Sequence, residues 1–141
     1  MLQKSSVLGD LDKNFKIIEK SFKKCVSNDC DFFLTTELFL TGYPPQDLLL
    51  RNDFLEKEKF YKKKIKELTK NKSSILLLNI PEKINNKIFN TLFLFQNGST
   101  IYKKNKSVLP NYGVFDEKRY FHSQDSKVPD FIYKNKKIRF L

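Results

Sequence analysis

Hydrophobic residues recur at intervals of three and four positions in two stretches of the chain, which is the spacing of an amphipathic helix. The first predicted helix follows Asp10, a residue type that caps helix N-termini, and ends at Asn28-Asp29. Its apolar positions are Leu11, Phe15, Ile18, Phe22 and Cys25 or Val26. The second predicted helix begins at Asp53 and ends near Asn71, with inward positions at Phe54, Phe60 or Tyr61, Ile65 and Leu68. Its outer face holds many lysines, which we expect to pair in part with Glu56, Glu58 and Glu67.

Shorter apolar runs predict strands between and after these helices. Residues 31–36 are continuously apolar at Phe32-Phe33-Leu34, which is typical of a strand buried on both faces. Later strands are predicted at residues 75–80, ended by Pro81, and at 87–95, 99–103, 131–133 and 137–141. Asn97-Gly98 is a two-residue turn signal that joins two of them into a hairpin. This order of elements indicates an α/β fold with mixed strand pairing and no internal repeat.

Composition limits the class of protein. The chain has 141 residues, 40% of them hydrophobic, which suits one domain of ordinary size. No apolar run approaches the roughly 20 residues of a membrane span, and residues 1–4 show no signal-peptide core. Cys25 and Cys30 make no disulfide framework, so we expect a cytoplasmic location. His122 is the only histidine and is expected at the surface. We expect no metal site, because a zinc site needs about four ligands.

The chain is strongly basic, with 27 Lys and Arg against 16 Asp and Glu and a net charge of +11. A small basic protein that binds nucleic acid is therefore an alternative from another class. Only Arg51, Arg119 and Arg139 are arginine, the residue that nucleic-acid readers favour, and the lysines are scattered. We therefore expect a solvated basic surface, with neither nucleic acid nor a membrane as partner.

Two segments combine residue types that carry chemistry. Residues 36–45 read TELFLTGYPP and place Glu37 at the end of a predicted strand, where sites in α/β sheets collect. A carboxylate in apolar surroundings can act as a general base, and the alternative interpretation is an exposed glutamate. Residues 106–121 read KSVLPNYGVFDEKRYF and form a long loop without periodicity. Long ordered loops of this kind often carry function.

These two segments resemble the carbon–nitrogen hydrolase (nitrilase-like) superfamily. They more closely resemble the glutaminase domains at the N-terminus of glutamine-dependent NAD⁺ synthetases. The motifs are ELFLTGYPPQDLLLR at residues 37–51 and LPNYGVFDEKRYF at 109–121, with weaker matches at 7–11 and 89–92. The resemblance covers nearly the whole chain. It implies part of a nitrilase-like αββα sandwich with a mixed sheet, of which residues 1–141 form roughly half a domain.

The resemblance also implies the roles of individual residues. Glu37 matches the general base, Lys106 the lysine that stabilises the oxyanion, and Glu117 a second glutamate that supports this lysine. Tyr112 matches a tyrosine that contacts the glutamine substrate, and Tyr43 lines the same pocket. The implied reaction is attack of a cysteine on the side-chain amide of L-glutamine, release of ammonia and hydrolysis of the thioester.

The implied partner of this domain is a synthetase domain of the same polypeptide. It uses ATP and Mg²⁺ as cofactors and adds the ammonia to deamido-NAD⁺ to make NAD⁺. The glutaminase domain itself has no implied cofactor, and complete members assemble, so a homo-oligomer is expected. The alternative within the superfamily is an amidase or nitrilase of another branch that acts on a different amide.

The sequence departs from the family pattern at three places. Thr36 stands where the family usually has proline, and the first strand is largely missing before Val7. The third departure is the nucleophile, which in the family follows a strand like residues 137–141 in a Cys-Glu-Asp-like motif. Cys25 and Cys30 stand elsewhere in the chain. We therefore expect residues 1–141 to be a partial domain, cut before the nucleophile, that lacks the synthetase domain and is inactive alone.

Overall fold

Two helices pack on one mixed sheet in the computed structural model, which describes residues 1–124 and 129–140. The helices are α1 (Leu11–Ser27) and α2 (Asn52–Leu68), and short 3₁₀ helices lie at Gln46–Leu50 and Glu117–Arg119. The strands are β1 (Phe32–Leu34), β2 (Ile75–Ile84), β3 (Lys87–Gln96), β4 (Ser99–Asn105), β5 (Phe131–Tyr133) and β6 (Lys136–Ile138). The predicted α/β class is confirmed.

The central sheet has the strand order β1-β2-β3-β4. β1 runs parallel to β2, with Phe33 opposite Leu76, whereas β2 with β3 and β3 with β4 are antiparallel. Asn97 and Gly98 have φ values of +47° and +74° and join β3 to β4. This is the two-residue hairpin turn that the sequence predicts.

Side chains alternate between the two faces of this sheet. The first face packs against both helices and carries Leu76, Leu78, Phe93 and Phe95. The second face carries Ile75, Leu77 and Leu94, and the hairpin of β5 and β6 packs on it through Phe131 and Tyr133. The residues of the candidate site lie on this second face.

Local signals place α1 correctly, whereas α2 begins one residue before Asp53 and ends at Leu68, three residues before the predicted end. The Asp10 carboxylate accepts a hydrogen bond from the Lys13 amide at 2.9 Å and caps α1 as predicted. Of the two inward candidates in α2, Tyr61 is buried and Phe60 is 51% exposed. The prediction that Glu58 belongs to the outer, lysine-paired face is wrong, because its side chain is buried.

Two strand predictions are wrong in extent. β2 continues through Pro81 to Ile84, with Pro81 opposite Asn90 in β3. β1 pairs with β2 only as far as Leu77, so proline loses no ladder hydrogen bond on that side of the strand. β1 is shorter than predicted, and it is not buried on both faces, because Leu34 borders an open concavity on the second face of the sheet and is 38% exposed.

The C-terminal hairpin confirms the two strands predicted there, although β6 ends at Ile138. Leu141, the last residue of the predicted strand 137–141, lies outside the described residues. None of the described helices is long and apolar enough to cross a membrane.

Candidate active site

Three of the predicted site residues meet at the second face of the sheet. Lys106 Nζ lies 2.8 Å from Glu37 Oε1 and 3.0 Å from Glu117 Oε2. Glu37 follows β1, Lys106 directly follows β4, and Glu117 begins the second 3₁₀ helix. The fold therefore joins a carboxylate and an ammonium that are 69 positions apart in the sequence.

Buried residues behind Glu37 fix its place. Leu38, Phe39 and Leu40 have no exposed surface. Leu38 has a φ of +49°, a left-handed conformation that costs a non-glycine residue about 1 kcal/mol, and the packing of its side chain holds it there. Asn14 of α1 donates to the Leu40 carbonyl at 3.0 Å and bonds both backbone groups of Val7 at 2.7 Å. The turn after Glu37 is thus tied to the first helix.

Lys106 continues the antiparallel pairing of β3 and β4. Thr91 is the partner of Asn105, and the Lys106 amide donates to the Asn90 carbonyl at 2.8 Å. Because side chains alternate along a strand, Lys106 and Asn90 share the second face. Strand register, rather than loop conformation, therefore positions this lysine.

Glu117 is buried within the same cluster and is 6% exposed. Its two oxygens accept hydrogen bonds from Lys106 Nζ at 3.1 and 3.0 Å. The Tyr43 hydroxyl donates to Glu117 Oε1 at 3.0 Å, and the Glu117 amide donates to the Pro110 carbonyl. The contact between Glu117 and Lys106 is the arrangement that the family resemblance implies.

The cluster holds one ammonium between two carboxylates. Burial lowers the pKa of Lys106, but the hydrogen bonds and charges of Glu37 and Glu117 outweigh it and keep this pKa above its ordinary value. Burial is the main cause that raises the pKa of Tyr43, and the hydrogen bond to Glu117 raises it further. At neutral pH the site therefore contains a fixed cation, which can stabilise an oxyanion, and a neutral tyrosine hydroxyl.

Asn90 belongs to the cluster although sequence reasoning assigned it no role. It is fully buried, and its Nδ2 donates to Glu37 Oε1 at 2.7 Å. Glu37 thus has an ionic and amide environment, and the prediction of apolar surroundings is wrong. The sequence does contain one signal for this role. Asn90 is a polar residue on the same face of β3 as the apolar residues Leu92 and Leu94.

Two concavities border the cluster. A wide one of about 550 Å³ lies on the second face and is lined in part by Leu34, Glu37, Asn79 and Lys106. A smaller one of about 140 Å³ is lined by Tyr43, Glu117, Phe115 and Tyr120, among others. Glu37 and Lys106 face the larger space, which is the one that can admit a reacting group.

Tyr112 does not join the hydrogen-bonded cluster within the described part of the chain. Its side chain is 71% exposed, and its ring packs against Phe115 with a centroid distance of 5.7 Å. His122 is exposed, as predicted. No group of three or more His, Cys, Asp or Glu side chains in residues 1–124 and 129–140 could hold a metal ion.

Both cysteines lie away from the cluster. Cys25 is buried on α1, and its Sγ contacts the Phe32 carbonyl at 3.8 Å, next to the start of β1. Burial raises the pKa of the Cys25 thiol to about 11. Cys30 is exposed and precedes β1, whereas Glu37 follows that strand. Cys25 is a core residue, as predicted.

Residues 1–137 match the family model described as Carbon-nitrogen hydrolase. The chain is 33% identical to the glutamine-dependent NAD(+) synthetase of Synechocystis sp. over 144 residues, which cover 98% of this chain and 26% of that protein. It is 34% identical to the glutamine-dependent NAD(+) synthetase of Thermotoga maritima over 121 residues, or 86% of this chain and 21% of that protein. The chain spans about a quarter of the length of these relatives.

Solved structures show the same fold. The glutamine-dependent NAD+ synthetase from Acinetobacter baumannii, solved in complex with adenosine diphosphate, superposes with a TM-score of 0.88 at 29% identity, over 96% of this chain and 25% of that one. A mutant amidase of the nitrilase superfamily from Nesterenkonia superposes with a TM-score of 0.84 at 19% identity, over 96% and 51%. The second likeness concerns the fold alone, and together they confirm the predicted nitrilase-like class.

Proposed function

Because this chain belongs to the carbon–nitrogen hydrolase family, we propose that it forms the N-terminal part of the glutaminase domain of a glutamine-dependent NAD⁺ synthetase. The main structural support for this proposal is the contact of Lys106 with both Glu37 and Glu117. Relatives with that name at 33% and 34% identity support this branch of the family. The amidase alternative has only a fold likeness at 19% identity.

In the proposed reaction Glu37 accepts the proton of a cysteine thiol. A thiol is mostly protonated at neutral pH, because its ordinary pKa is about 8.5, so it needs a neighbouring base. The thiolate attacks the side-chain amide carbon of L-glutamine, and Lys106 stabilises the oxyanion that forms. Ammonia leaves with a proton returned by Glu37, and a thioester remains. A water molecule that Glu37 deprotonates then hydrolyses the thioester to glutamate.

The other predicted residues support this chemistry. Both oxygens of Glu117 accept hydrogen bonds from the Lys106 ammonium, and the Tyr43 hydroxyl donates to Glu117. The exposed ring of Tyr112 is available for contact with the bound glutamine. We propose Tyr112 as a substrate-side residue on this basis. Tyr43 lines the smaller concavity, so we propose that it supports Glu117 at the border of the substrate pocket.

Neither Cys25 nor Cys30 is placed to act as the nucleophile, because both precede β1 and Glu37 follows it. We propose that a cysteine outside residues 1–141 supplies the thiol. We further propose that the ammonia passes to a synthetase domain that uses ATP and Mg²⁺ to convert deamido-NAD⁺ to NAD⁺, in a homo-oligomeric complete protein.

A chimera tests the proposal. Residues 1–141 replace the aligned segment of the Synechocystis synthetase, whose alignment covers 98% of this chain. NAD⁺ formation is measured with glutamine and, separately, with ammonia as the nitrogen donor. We expect glutamine-driven synthesis by the chimera. A chimera that uses ammonia but not glutamine would contradict the proposal, and ammonia release from a different small amide would favour the amidase alternative.

Lys106→Ala in this chimera tests the assigned role. It removes the cation beside the oxyanion, so the glutamine-driven rate should fall about 10²- to 10³-fold or more, while the ammonia-driven rate stays unchanged. Lys103→Ala is the matched control, because Lys103 lies on the same strand but pairs with Glu82. Loss of both rates would make Lys106 structural. Two unchanged rates would make Lys104, which lines the same concavity as Glu37, the next candidate.

A further inference from the structure

Two hydrogen-bond donors converge on one oxygen of Glu37. Asn90 Nδ2 lies 2.7 Å and Lys106 Nζ 2.8 Å from Glu37 Oε1. Within residues 1–124 and 129–140, Glu37 Oε2 makes no hydrogen bond to the protein. The Glu37 side chain is 39% exposed and borders the larger concavity. The two oxygens of this carboxylate are therefore not equivalent.

Both side-chain partners of Asn90 agree with one orientation of its amide. The Glu37 carboxylate only accepts hydrogen bonds, so Nδ2 is the end that meets it, and Asn90 Oδ1 accepts a hydrogen bond from Asn79 Nδ2 at 3.3 Å. Asn79 pairs with Leu92 across β2 and β3, and Asn90 is its diagonal neighbour on the same face. Asn90 has no exposed surface, so no bulk water competes for its amide.

The same residue also holds the backbone of the lysine. The Asn90 carbonyl accepts the Lys106 amide at 2.8 Å. Asn90 thus sets the separation between the Glu37 carboxylate and the strand that carries Lys106. Substitution of Asn90 leaves this backbone bond in place and removes only the side-chain bond to Glu37, and a displacement of the Glu37 carboxylate by about 1 Å can cost about 10²-fold in rate.

We infer that Asn90, oriented by Asn79, is a positioning residue that binds Glu37 Oε1 and leaves Glu37 Oε2 to accept the proton of the nucleophile. This inference rests on the proposed function for the identity of the nucleophile. An amide N–H bonds the ionised carboxylate as acceptor and so favours the form that acts as a base. Because Oε1 already accepts two donors, the proton transfer goes to Oε2.

The hydrogen bond itself is tested in the 141-residue chain, with no need for activity. In ¹⁵N–¹H NMR spectra the Asn90 side-chain amide should be shifted downfield and exchange slowly with solvent. Its signals should move when acid protonates Glu37, and Glu37→Leu should return them to the ordinary amide position. Asn90 side-chain signals that respond neither to acid nor to Glu37→Leu would overturn the inference, whatever the outcome of the glutamine assay.

The catalytic consequence is tested in the Synechocystis chimera with Asn90→Ala. We expect the glutamine-driven kcat to fall about 10²-fold with an unchanged ammonia-driven rate. The KM for glutamine should change little, because Asn90 is fully buried and bonds Glu37. Thr91→Val is the matched control, since Thr91 is equally buried on β3 and bonds Asn105 instead. An unchanged kcat in Asn90→Ala, or an equal loss of kcat in Thr91→Val, would overturn the inference.

Discussion

Glu58 is a carboxylate that the candidate site does not use. It lies on α2 and is 3% exposed, and its Oε1 atom has no hydrogen-bond partner in the described part of the chain. Lys62, one turn away, is paired with Glu82 at 3.3 Å. Burial raises the pKa of the Glu58 carboxyl from 4.5 to about 8. A group of this kind prefers its protonated form in the folded protein.

The raised pKa predicts a pH-dependent stability. Between pH 4.5 and about 8 the folded chain keeps a proton on Glu58 that the unfolded chain has released. The contribution is complete below the unfolded pKa and is lost as the pH rises through the folded one. The free energy of unfolding should therefore fall across this window by up to about 1.4 kcal/mol per pH unit.

Glu58→Gln tests this expectation by urea unfolding at pH 5 and pH 8. The variant should lose the slope and be more stable than the wild type at pH 8, because no buried charge forms. Glu56→Gln is the control, since Glu56 is exposed on the same helix and pairs with Lys59. A slope that persists in Glu58→Gln would show that another group controls the pH dependence.

At the scale of elements, the turn behind Glu37 packs closely on the N-terminal segment. Gly42 has a φ of +78°, and a Cβ atom there would lie 2.6 Å from Leu8 Cα. The Gly9 amide donates to the Thr41 carbonyl at 2.9 Å and holds the two segments together. Glycine is therefore required at this position for two reasons, its backbone conformation and the close approach of another backbone.

Gly42→Ala should lower the free energy of unfolding by more than the roughly 1–2 kcal/mol of a left-handed non-glycine residue, because backbone must also move. Gly113→Ala is the matched control, since Gly113 has a φ of +59° and no atom near its missing Cβ. Urea unfolding of both variants separates the cost of the left-handed backbone conformation, which both share, from the cost of the steric clash with Leu8, which only Gly42→Ala has. Equal losses in the two variants would contradict the close approach.

The elements show how far the sequence alone could lead. α1 was predicted within a residue because its signals are local, namely the Asp10 cap and the apolar stripe. β2 is predicted too short because Pro81 is taken to end it, whereas the strand continues to Ile84 and pairs with β3 across the two-residue turn Asn85-Asn86. Glu37, Lys106 and Glu117 are identified by resemblance, but their convergence follows from the fold, in which strand register places Lys106 and segments outside the strands carry Glu37 and Glu117. Asn90 was missed because only that register shows what its amide meets.

At the scale of the whole molecule, the net charge is +11 and the lysines are scattered along the sequence. Several lysines pair with carboxylates, among them Lys59 with Glu56 and Lys134 with Asp31. Nucleic-acid interfaces instead concentrate basic side chains on one face. The dispersed pairs favour the solvated basic surface over a nucleic-acid site.

This view predicts no specific retardation of RNA or DNA by the chain in a gel-shift titration at low salt. A binding mode that contacts phosphates would weaken with salt, with a slope of log K against log salt of about −0.9 per phosphate for duplex DNA. Free lysine-rich peptide of equal net charge serves as the comparison. If the chain retards RNA or DNA more strongly than the peptide does, and this binding weakens with salt as described, the nucleic-acid alternative would be restored.

The final prediction concerns what the 141-residue chain does alone. It contains the proposed base and oxyanion cation, in contact at 2.8 Å, but neither of its thiols lies at their cluster. Loss of the nucleophile from such a cooperating set costs on the order of 10⁶-fold in rate, so the base and cation have nothing to activate. We therefore expect the purified chain to release no more ammonia from glutamine than its Glu37→Ala variant. Release above that background would contradict the expectation, and its loss in Cys30→Ser would identify the exposed Cys30 as the nucleophile.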